Sequence, residues 1–211
     1  MLKPIIVCIV LLVSGWLSVA AKNASVFFIS ASKETVPVYW IYGDMPEFTP
    51  VAIYDSDYMY PKVWKATLGL NVSGLTEHLP EGTYAIISDT FGTVTRPSFS
   101  GSPAVDVNFS ILAVGLMTRF DSDSLSLGFA ATTGFLFHDK PESPVEDEYF
   151  PDAGKTEGLG YGLDADLGIR LGRVLTVYAD ASFYRYDHYG VWRQGPIITG
   201  FGYGYGIRLS W

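Results

Sequence analysis

The sequence predicts an all-β fold: a transmembrane, antiparallel, up-and-down β-barrel with eight strands or, alternatively, ten. The first observation is that residues 197–211 alternate strictly between two faces, which is the period of a β-strand. One face is bulky and mostly aromatic. The other is mostly glycine, which shields a sheet poorly from water and favours a narrow lumen on that side and lipid on the other. The second observation is the composition, with 22 Gly, 14 Tyr and 13 Phe but only 17% charged residues. The third is that short and long connections alternate between the predicted strands.

Residues 1–21 are predicted to be a secretory signal peptide. A single early charge, Lys3, precedes an apolar run from residue 5 to residue 13, and small residues follow up to Ala21. The one cysteine, Cys8, lies inside the apolar run, so residues 22–211 offer no disulfide and no thiolate site. Residues 22–46 are expected to form an N-terminal extension or extra short strands, and residues 47–211 are expected to form the barrel.

The clearest strands lie in the C-terminal half, where the period-2 alternation is longest. Two hairpins are predicted there, one through residues 121–124 and one through Gly172 and Arg173. The strands of these hairpins and the final strand cover residues 105–120, 124–138, 158–171, 175–184 and 197–211.

The N-terminal strands are marked more weakly. Residues 64–73 form a good strand, residues 83–89 form a poorer one, and residues 52–54 are expected to be the first of eight. Adding residues 25–31 and 36–42 would give ten strands. Eight strands are favoured because these early segments are shorter than the roughly 9–11 residues that a tilted membrane strand needs.

The final strand ends on an aromatic residue, Trp211, with Tyr205, Ile207 and Leu209 at alternate positions before it. This pattern resembles the C-terminal signal by which bacterial outer-membrane β-barrels are handed to their assembly machinery. The resemblance covers the final strand and, more loosely, the strands before it, and it indicates no narrower family. It implies export to the bacterial outer membrane, with the lipid bilayer and the barrel assembly machinery as partners. In such barrels tight turns face the periplasm, and long connections such as the acidic segment 139–157 face outward.

Several charged and polar residues fall in the inward-facing phase of the predicted strands. They are Lys65, Asp164, Asp166, Arg170, Tyr178, Asp180 and Arg208. An eight-stranded barrel is only wide enough for side chains to fill, and buried charges must pair or meet water. We therefore expect a side-chain-filled polar lumen in a non-enzymatic protein with a structural or surface-interacting role. The alternative is a narrow, porin-like channel for small solutes.

A hydrolase with its site at the external rim is a second alternative. His138 and His188 occupy the external ends of their strands, each beside an aspartate. Asp187 and His188, however, are adjacent along one strand, so their side chains face opposite sides and are poorly placed to form a catalytic pair. The acidic segment 139–157 lacks the regular ligand spacing of a calcium loop, and we predict neither a metal site nor a cofactor. A net charge of −8 argues against nucleic acid as a partner.

Overall fold

The computed structural model describes residues 25–42, 59–75, 78–96, 104–139, 157–188 and 194–211. Nine β-strands form within this part of the chain. They are β1 Phe27–Thr35, β2 Val38–Tyr42, β3 Lys62–Asn71, β4 Thr83–Arg96, β5 Val105–Asp121, β6 Leu125–His138, β7 Glu157–Leu171, β8 Leu175–His188 and β9 Gln194–Ser210. A single 3₁₀ turn spans Ser73–Leu75. None of the described residues forms a helix with the length and hydropathy needed to cross a membrane.

The strands form one antiparallel sheet in the order β1-β3-β4-β5-β6-β7-β8-β9-β2, and a further pairing of β1 with β9 closes it into a barrel. β2 extends the line of β1 and does not add a further strand to the barrel wall. It pairs with the start of β9 on one side, and on the other side Val38 is hydrogen-bonded to Met59, just before β3. Pro37, which has no backbone N–H, separates the two parts. Gly200 lies opposite Pro37 with a φ of +121°, a conformation that favours glycine. The barrel wall therefore has eight strands, as the sequence predicts.

The start of the barrel differs from the prediction. β1 pairs along its whole length with β3 and along most of its length with β9. The barrel therefore begins at Phe27, and the boundary expected at residue 47 is wrong. The expected first strand, residues 52–54, lies outside the described residues. Of the two expectations for residues 22–46, extra short strands is nearer to the structure, because the segment 25–31 overlaps β1. The role of β1 as a wall strand depends on its pairing with β9, at the far end of the sequence, which a local pattern does not reveal.

The C-terminal hairpins are as predicted. β5 and β6 connect through residues 122–124, and β7 and β8 connect through residues 172–174. Gly172 has a φ of +79°, which lets the second turn be tight without steric strain. β4 is longer than expected and extends to Arg96 instead of ending near residue 89.

A band of exposed apolar side chains encircles the barrel. One row of paired, outward-facing residues runs through Phe27, Leu70, Ala85, Leu116, Ala131, Leu163, Phe183 and Phe201. The row starts at Phe27, which is hydrogen-bonded to Trp211 at the end of the barrel with the tight turns. It reaches β9 at Phe201, two residues closer to the external end than Tyr203, the residue that pairs with Thr35. The row therefore climbs from the periplasmic rim to the external rim, because the strands are tilted. Phe201 is 77% exposed and Leu163 is 51% exposed. Large apolar side chains are exposed on all the wall strands from β3 to β9, and apolar exposure of this extent is the lipid-facing surface of a membrane barrel.

Candidate functional site in the barrel lumen

Six charged side chains form a layer across the middle of the lumen. This lumenal charge layer consists of Glu34, Lys65, Asp164, Asp166, Asp180 and Arg208. The layer draws on five strands, whose alternation places these side chains on the inner face of the wall. It contains four carboxyl groups and two bases. Because an isolated buried charge is very costly, the contacts among these groups determine how well the layer is tolerated.

Lys65 is the centre of one part of the lumenal charge layer. Its ammonium group lies 2.6 Å from Asp164 Oδ1 and 3.4 Å from Glu34 Oε1. Asp164 accepts a second hydrogen bond, at 2.5 Å, from the Ser182 hydroxyl. Glu34 is only 1% exposed, and its other carboxylate oxygen accepts a hydrogen bond from the Tyr184 hydroxyl. Both carboxylates are thus held by a base and by a hydroxyl, the arrangement that makes a buried charge tolerable.

Arg208 is the centre of the other part. Its Nη2 donates a hydrogen bond of 2.7 Å to Asp166 Oδ2. Its guanidinium group lies 4.7 Å from the centroid of the Tyr178 ring and 5.3 Å from that of Phe28, within range of cation–π attraction. Arg208 is 2% exposed and Asp166 is 6% exposed. Loss of either partner would leave the other as a buried, uncompensated charge.

The glycines of β9 make room for the lumenal charge layer. A Cβ atom at Gly204 would lie 2.6 Å from both Asp180 Oδ1 and Glu34 Cγ, and one at Gly206 would lie 2.8 Å from Ser32 Cβ. These distances are too short for real contacts, so glycine is what lets the opposing side chains pack against the β9 backbone. This close approach accounts for the glycine face of the final strand.

Arg119 forms a floor below the charge layer, towards the periplasmic end. Its guanidinium group pairs with Asp121 at 2.7 Å and donates hydrogen bonds to the hydroxyls of Ser210 at 3.1 Å and Ser25 at 2.8 Å. It also lies 5.0 Å from the centroid of the Tyr84 ring. A single side chain on β5 thereby reaches across the barrel to the β1–β9 seam.

Apolar side chains fill the lumen above the charge layer, towards the external end. This external apolar cluster consists of Val36, Val38, Trp40, Val63, Val94, Val107, Phe109, Ile111, Ala113, Leu136, Tyr184, Tyr186 and Ile198. The sequence analysis predicts a polar or small-residue interior throughout, and this part of the lumen differs. On β5, for example, Ile111 is buried in the lumen while Leu112 faces lipid. Both faces of the strand are apolar there, so hydropathy no longer alternates and the pattern does not distinguish lumen from lipid.

The described residues leave little open space in the middle of the lumen. A cavity of about 40 Å³ lies among the side chains of the lumenal charge layer. A space of about 10–15 Å³ on this measure holds one water molecule, so the cavity has room for about three waters and is a hydration site rather than a pore. A larger cavity of about 810 Å³ opens below Arg119, at the periplasmic end.

The structure brings together most of the predicted lumen residues but leaves out Arg170. Lys65, Asp164, Asp166, Asp180 and Arg208 lie in the charge layer, and Tyr178 stacks on Arg208. Arg170 lies at the periplasmic rim, where its Nη1 donates a hydrogen bond of 2.6 Å to the Ser122 carbonyl oxygen. It is separate from the layer because β7 has almost reached its turn at that point.

Two lumenal residues, Glu34 and Arg119, are missing from the sequence prediction. Glu34 is missed because the favoured prediction places residues 22–46 outside the barrel, and the extra strands offered as its alternative, 25–31 and 36–42, do not include residue 34. Arg119 has the same inward phase along β5 as Met117, so the alternation of that strand is a signal that could have identified it.

The predicted assembly signal faces lipid beside the barrel seam. Tyr205, Ile207 and Trp211 are exposed, and Leu209 is half-buried. The Trp211 ring stacks on Phe27, with centroids 4.8 Å apart and an interplanar angle of 18°. The Trp211 N–H also donates a hydrogen bond of 3.0 Å to the Phe27 carbonyl. Trp211 thus contributes to closure of the β1–β9 seam.

The external rim contains His138, one of the two histidines considered for hydrolysis. Its side chain is buried, with Nδ1 2.9 Å from the Asp139 carbonyl oxygen and its ring centroid 6.2 Å from that of Trp40. The side chain of His188 lies outside the described part of the structure. Asp187 and His188 are consecutive residues of β8, as the sequence analysis assumes.

No protein-family model and no curated protein matches this chain. Its fold is similar to that of Neisserial surface protein A, with a TM-score of 0.58, 10% identity, and coverage of 90% of this chain and 100% of that chain. Ail, the attachment invasion locus protein of Yersinia pestis, has a TM-score of 0.48 at 10% identity, with coverage of 90% of this chain and 100% of that chain. The outer-membrane protein AlkL has a TM-score of 0.46 at 11% identity, with coverage of 93% of this chain and 95% of that chain. At these identities the likeness concerns the fold.

The fold and its outer surface are those of a membrane-spanning β-barrel. A closed antiparallel barrel leaves no unpaired sheet edge, which is what allows strands to cross a bilayer. The apolar band supplies the surface that lipid requires.

Proposed function

We propose that this protein is a non-enzymatic outer-membrane barrel with a structural or surface-interacting role, and that its lumen is closed to solutes. The observation that carries the proposal is the succession of three lumenal layers. The Arg119 floor, the lumenal charge layer and the external apolar cluster follow one another along the barrel axis. Water and ions need a continuous polar path to pass through a pore, and an apolar constriction interrupts such a path.

A surface-interacting role is supported by the external segments and by the fold. The segment 139–157 is long and acidic, and it connects two strands at the external end. One protein of similar fold is named a Neisserial surface protein. We expect the membrane itself to be the principal partner of the barrel wall, and the barrel assembly machinery to be a transient partner during biogenesis.

The two alternatives from the sequence receive less support. In a porin-like channel, solutes would pass the charge layer, whose four carboxyl groups and two bases would favour cations, but they would also have to pass the external apolar cluster.

A rim hydrolase would need a histidine within reach of a nucleophile and an acid. His138 is buried and has a backbone carbonyl group and the Trp40 ring among its contacts.

Single-channel recording in planar bilayers tests the closed lumen. The purified, folded barrel is expected to give no conductance steps under conditions in which a porin, reconstituted in the same way, gives clear ones. Steady cation-selective steps from the wild-type protein would overturn the closed lumen and favour the channel.

A pair of double variants tests whether the external apolar cluster is the barrier. Trp40→Ala with Phe109→Ala removes two large buried rings from the cluster and is expected to create a measurable leak. Phe135→Ala with Phe137→Ala removes two rings that face lipid at the same end of the barrel, and this matched control is expected to remain silent. Equal leakage from both double variants would mean that loss of stability, and not opening of the lumen, causes the current.

A further inference from the structure

Two charged side chains lie on the lipid-facing apolar band near its mid-height, whereas Arg185 faces outward closer to the external rim. Lys33 on β1 and Asp89 on β4 both point outward and are both half-buried. The Lys33 ammonium group lies 5.9 Å from the centroid of the Trp64 ring. Asp89 accepts a hydrogen bond of 2.6 Å from the Ser110 hydroxyl. Charged groups on the lipid-facing side of a membrane protein are costly and usually find partners of opposite charge.

Lys33 and Asp89 lie on either side of β3, the strand between β1 and β4. Lys33 pairs with Trp64, and Trp64 pairs with Phe91. Because the strands are tilted by about 40°, these two steps from strand to strand place Phe91 about 6 Å closer to the external rim than Lys33. Asp89 precedes Phe91 by two residues along β4, so it lies about 5 Å closer to the periplasmic end than Phe91. The two charges are therefore at nearly the same depth in the membrane.

No salt bridge joins these two residues within the described structure, because the width of β3 separates them. A second copy of the chain would supply the missing partners. Rotation by 180° about an axis along the membrane normal, in front of β3, brings Lys33 of one copy opposite Asp89 of the other. The same rotation brings Asp89 of the first copy opposite Lys33 of the second, which is the reciprocity of a twofold interface.

We propose that the outer face formed by β1, β3 and β4 binds the same face of a second copy, with reciprocal Lys33–Asp89 ion pairs on either side of β3. The centre of this face is apolar and carries Trp64, which is 52% exposed, and the small exposed residue Ala66. The barrel surface curves away on both sides of β3, and the long lysine side chain is suited to span the resulting gap. Opposite charges attract strongly in the low-dielectric membrane, so the complementarity fixes the orientation of the two copies. This inference is independent of whether the lumen conducts.

Cysteine cross-linking tests the proposed interface. In a Cys8→Ser background, Ala66→Cys places a single cysteine on the central strand of the face. Ala165→Cys places one on β7, which also points outward but lies four strands away. With a short bis-maleimide in native outer membranes, Ala66→Cys is expected to give a covalent dimer, at a yield at least about tenfold above Ala165→Cys. Equal yields from the two positions, or no dimer from Ala66→Cys, would overturn the interface.

Charge reversal tests the ion pairs in the Ala66→Cys protein. Lys33→Glu alone would place a second carboxylate opposite Asp89, and Asp89→Lys alone would place two lysines together. Each single change is expected to lower the cross-linking yield about tenfold. The double change restores opposite charges and is expected to restore the yield. Single changes without effect, or a double change that stays as weak as the singles, would overturn the pairing.

The mass of the wild-type protein in nanodiscs provides a measurement that requires no variant. We expect two copies in each loaded disc when discs large enough for two barrels are used, and the same result on dilution with empty discs. A mass corresponding to one copy would mean that lipid headgroups and water satisfy Lys33 and Asp89, and it would overturn the proposal.

Discussion

Replacing Arg208 by methionine tests whether the lumenal charge layer stabilises the barrel. Methionine retains an unbranched, flexible side chain and removes the guanidinium group. Arg208 is 2% exposed and lies 2.7 Å from Asp166, which is buried as well. Its loss leaves Asp166 without a base, which typically costs about 3–5 kcal/mol. The lost cation–π contacts with Tyr178 and Phe28 act in the same direction. We therefore expect the free energy of unfolding to fall by about 3–5 kcal/mol.

Reversible urea unfolding of the barrel in lipid vesicles, followed by tryptophan fluorescence, measures this loss. Arg173→Ala is the matched control, because Arg173 is exposed in the β7–β8 turn, and its replacement should change the free energy by no more than about 0.5 kcal/mol. Arg170→Ala should cost about 1 kcal/mol, because one hydrogen bond at the rim is lost. Arg208→Met combined with Asp166→Asn should recover a large part of the loss, because no unpaired charge of that pair remains.

Two results would refute this reasoning. The first is an Arg208→Met protein within about 1 kcal/mol of Arg173→Ala, because a loss that small is typical of an exposed ion pair. The second is a double variant no more stable than Arg208→Met alone, because the cost would then come from lost volume and not from an uncompensated Asp166. The first result would mean that water hydrates the middle of the lumen, and it would favour the channel.

Two further predictions concern the seam and the glycine face. Trp211→Ser should lower the amount of folded barrel in cells. It should also lower the free energy of unfolding in detergent by about 1 kcal/mol, because the stacking of Trp211 on Phe27 at the seam is lost. Normal cellular levels of the folded variant on unboiled gels would count against the assembly role. Gly204→Ala should lower the free energy of unfolding, measured by urea titration, by about 1–3 kcal/mol, because the added Cβ would lie 2.6 Å from Asp180 Oδ1. Gly74→Ala, whose Cβ would meet nothing within 4 Å, should have little effect, and equal losses at the two glycines would contradict a packed lumen.

Much of the barrel could be predicted because its C-terminal strands carry their information locally. Strict alternation over β7, β8 and β9 specifies which residues share a face, and the glycine-containing turn at residue 172 specifies where the chain reverses. The inward phase then identifies Asp164, Asp166 and Arg208 without knowledge of the fold.

The remaining features depend on pairing between distant segments. β1 is short, and its outward face includes Ala31 and Lys33, so it lacks the apolar signature of the other wall strands. Its role follows from pairing with β9, which no local pattern shows, and Glu34 is missed along with it.

The external apolar cluster is missed for a different reason. Alternation identifies two unlike faces, but it carries no signal where both faces are apolar, as at Ile111 and Leu112 of β5. The depth of a residue along the barrel axis decides whether its inward side chain meets the charge layer or the apolar cluster. That depth follows from the register of all eight wall strands.

The claim that this chain forms a membrane-spanning barrel is tested most directly by the gel mobility of the protein in isolated outer membranes. A closed barrel resists cold detergent and runs at a different position from the boiled, unfolded chain, because its backbone hydrogen bonds are satisfied within the wall. We expect the protein in the outer-membrane fraction to show two bands that interconvert on heating. Recovery of the protein wholly in the soluble periplasmic fraction, or a single band that heating does not shift, would contradict the claim.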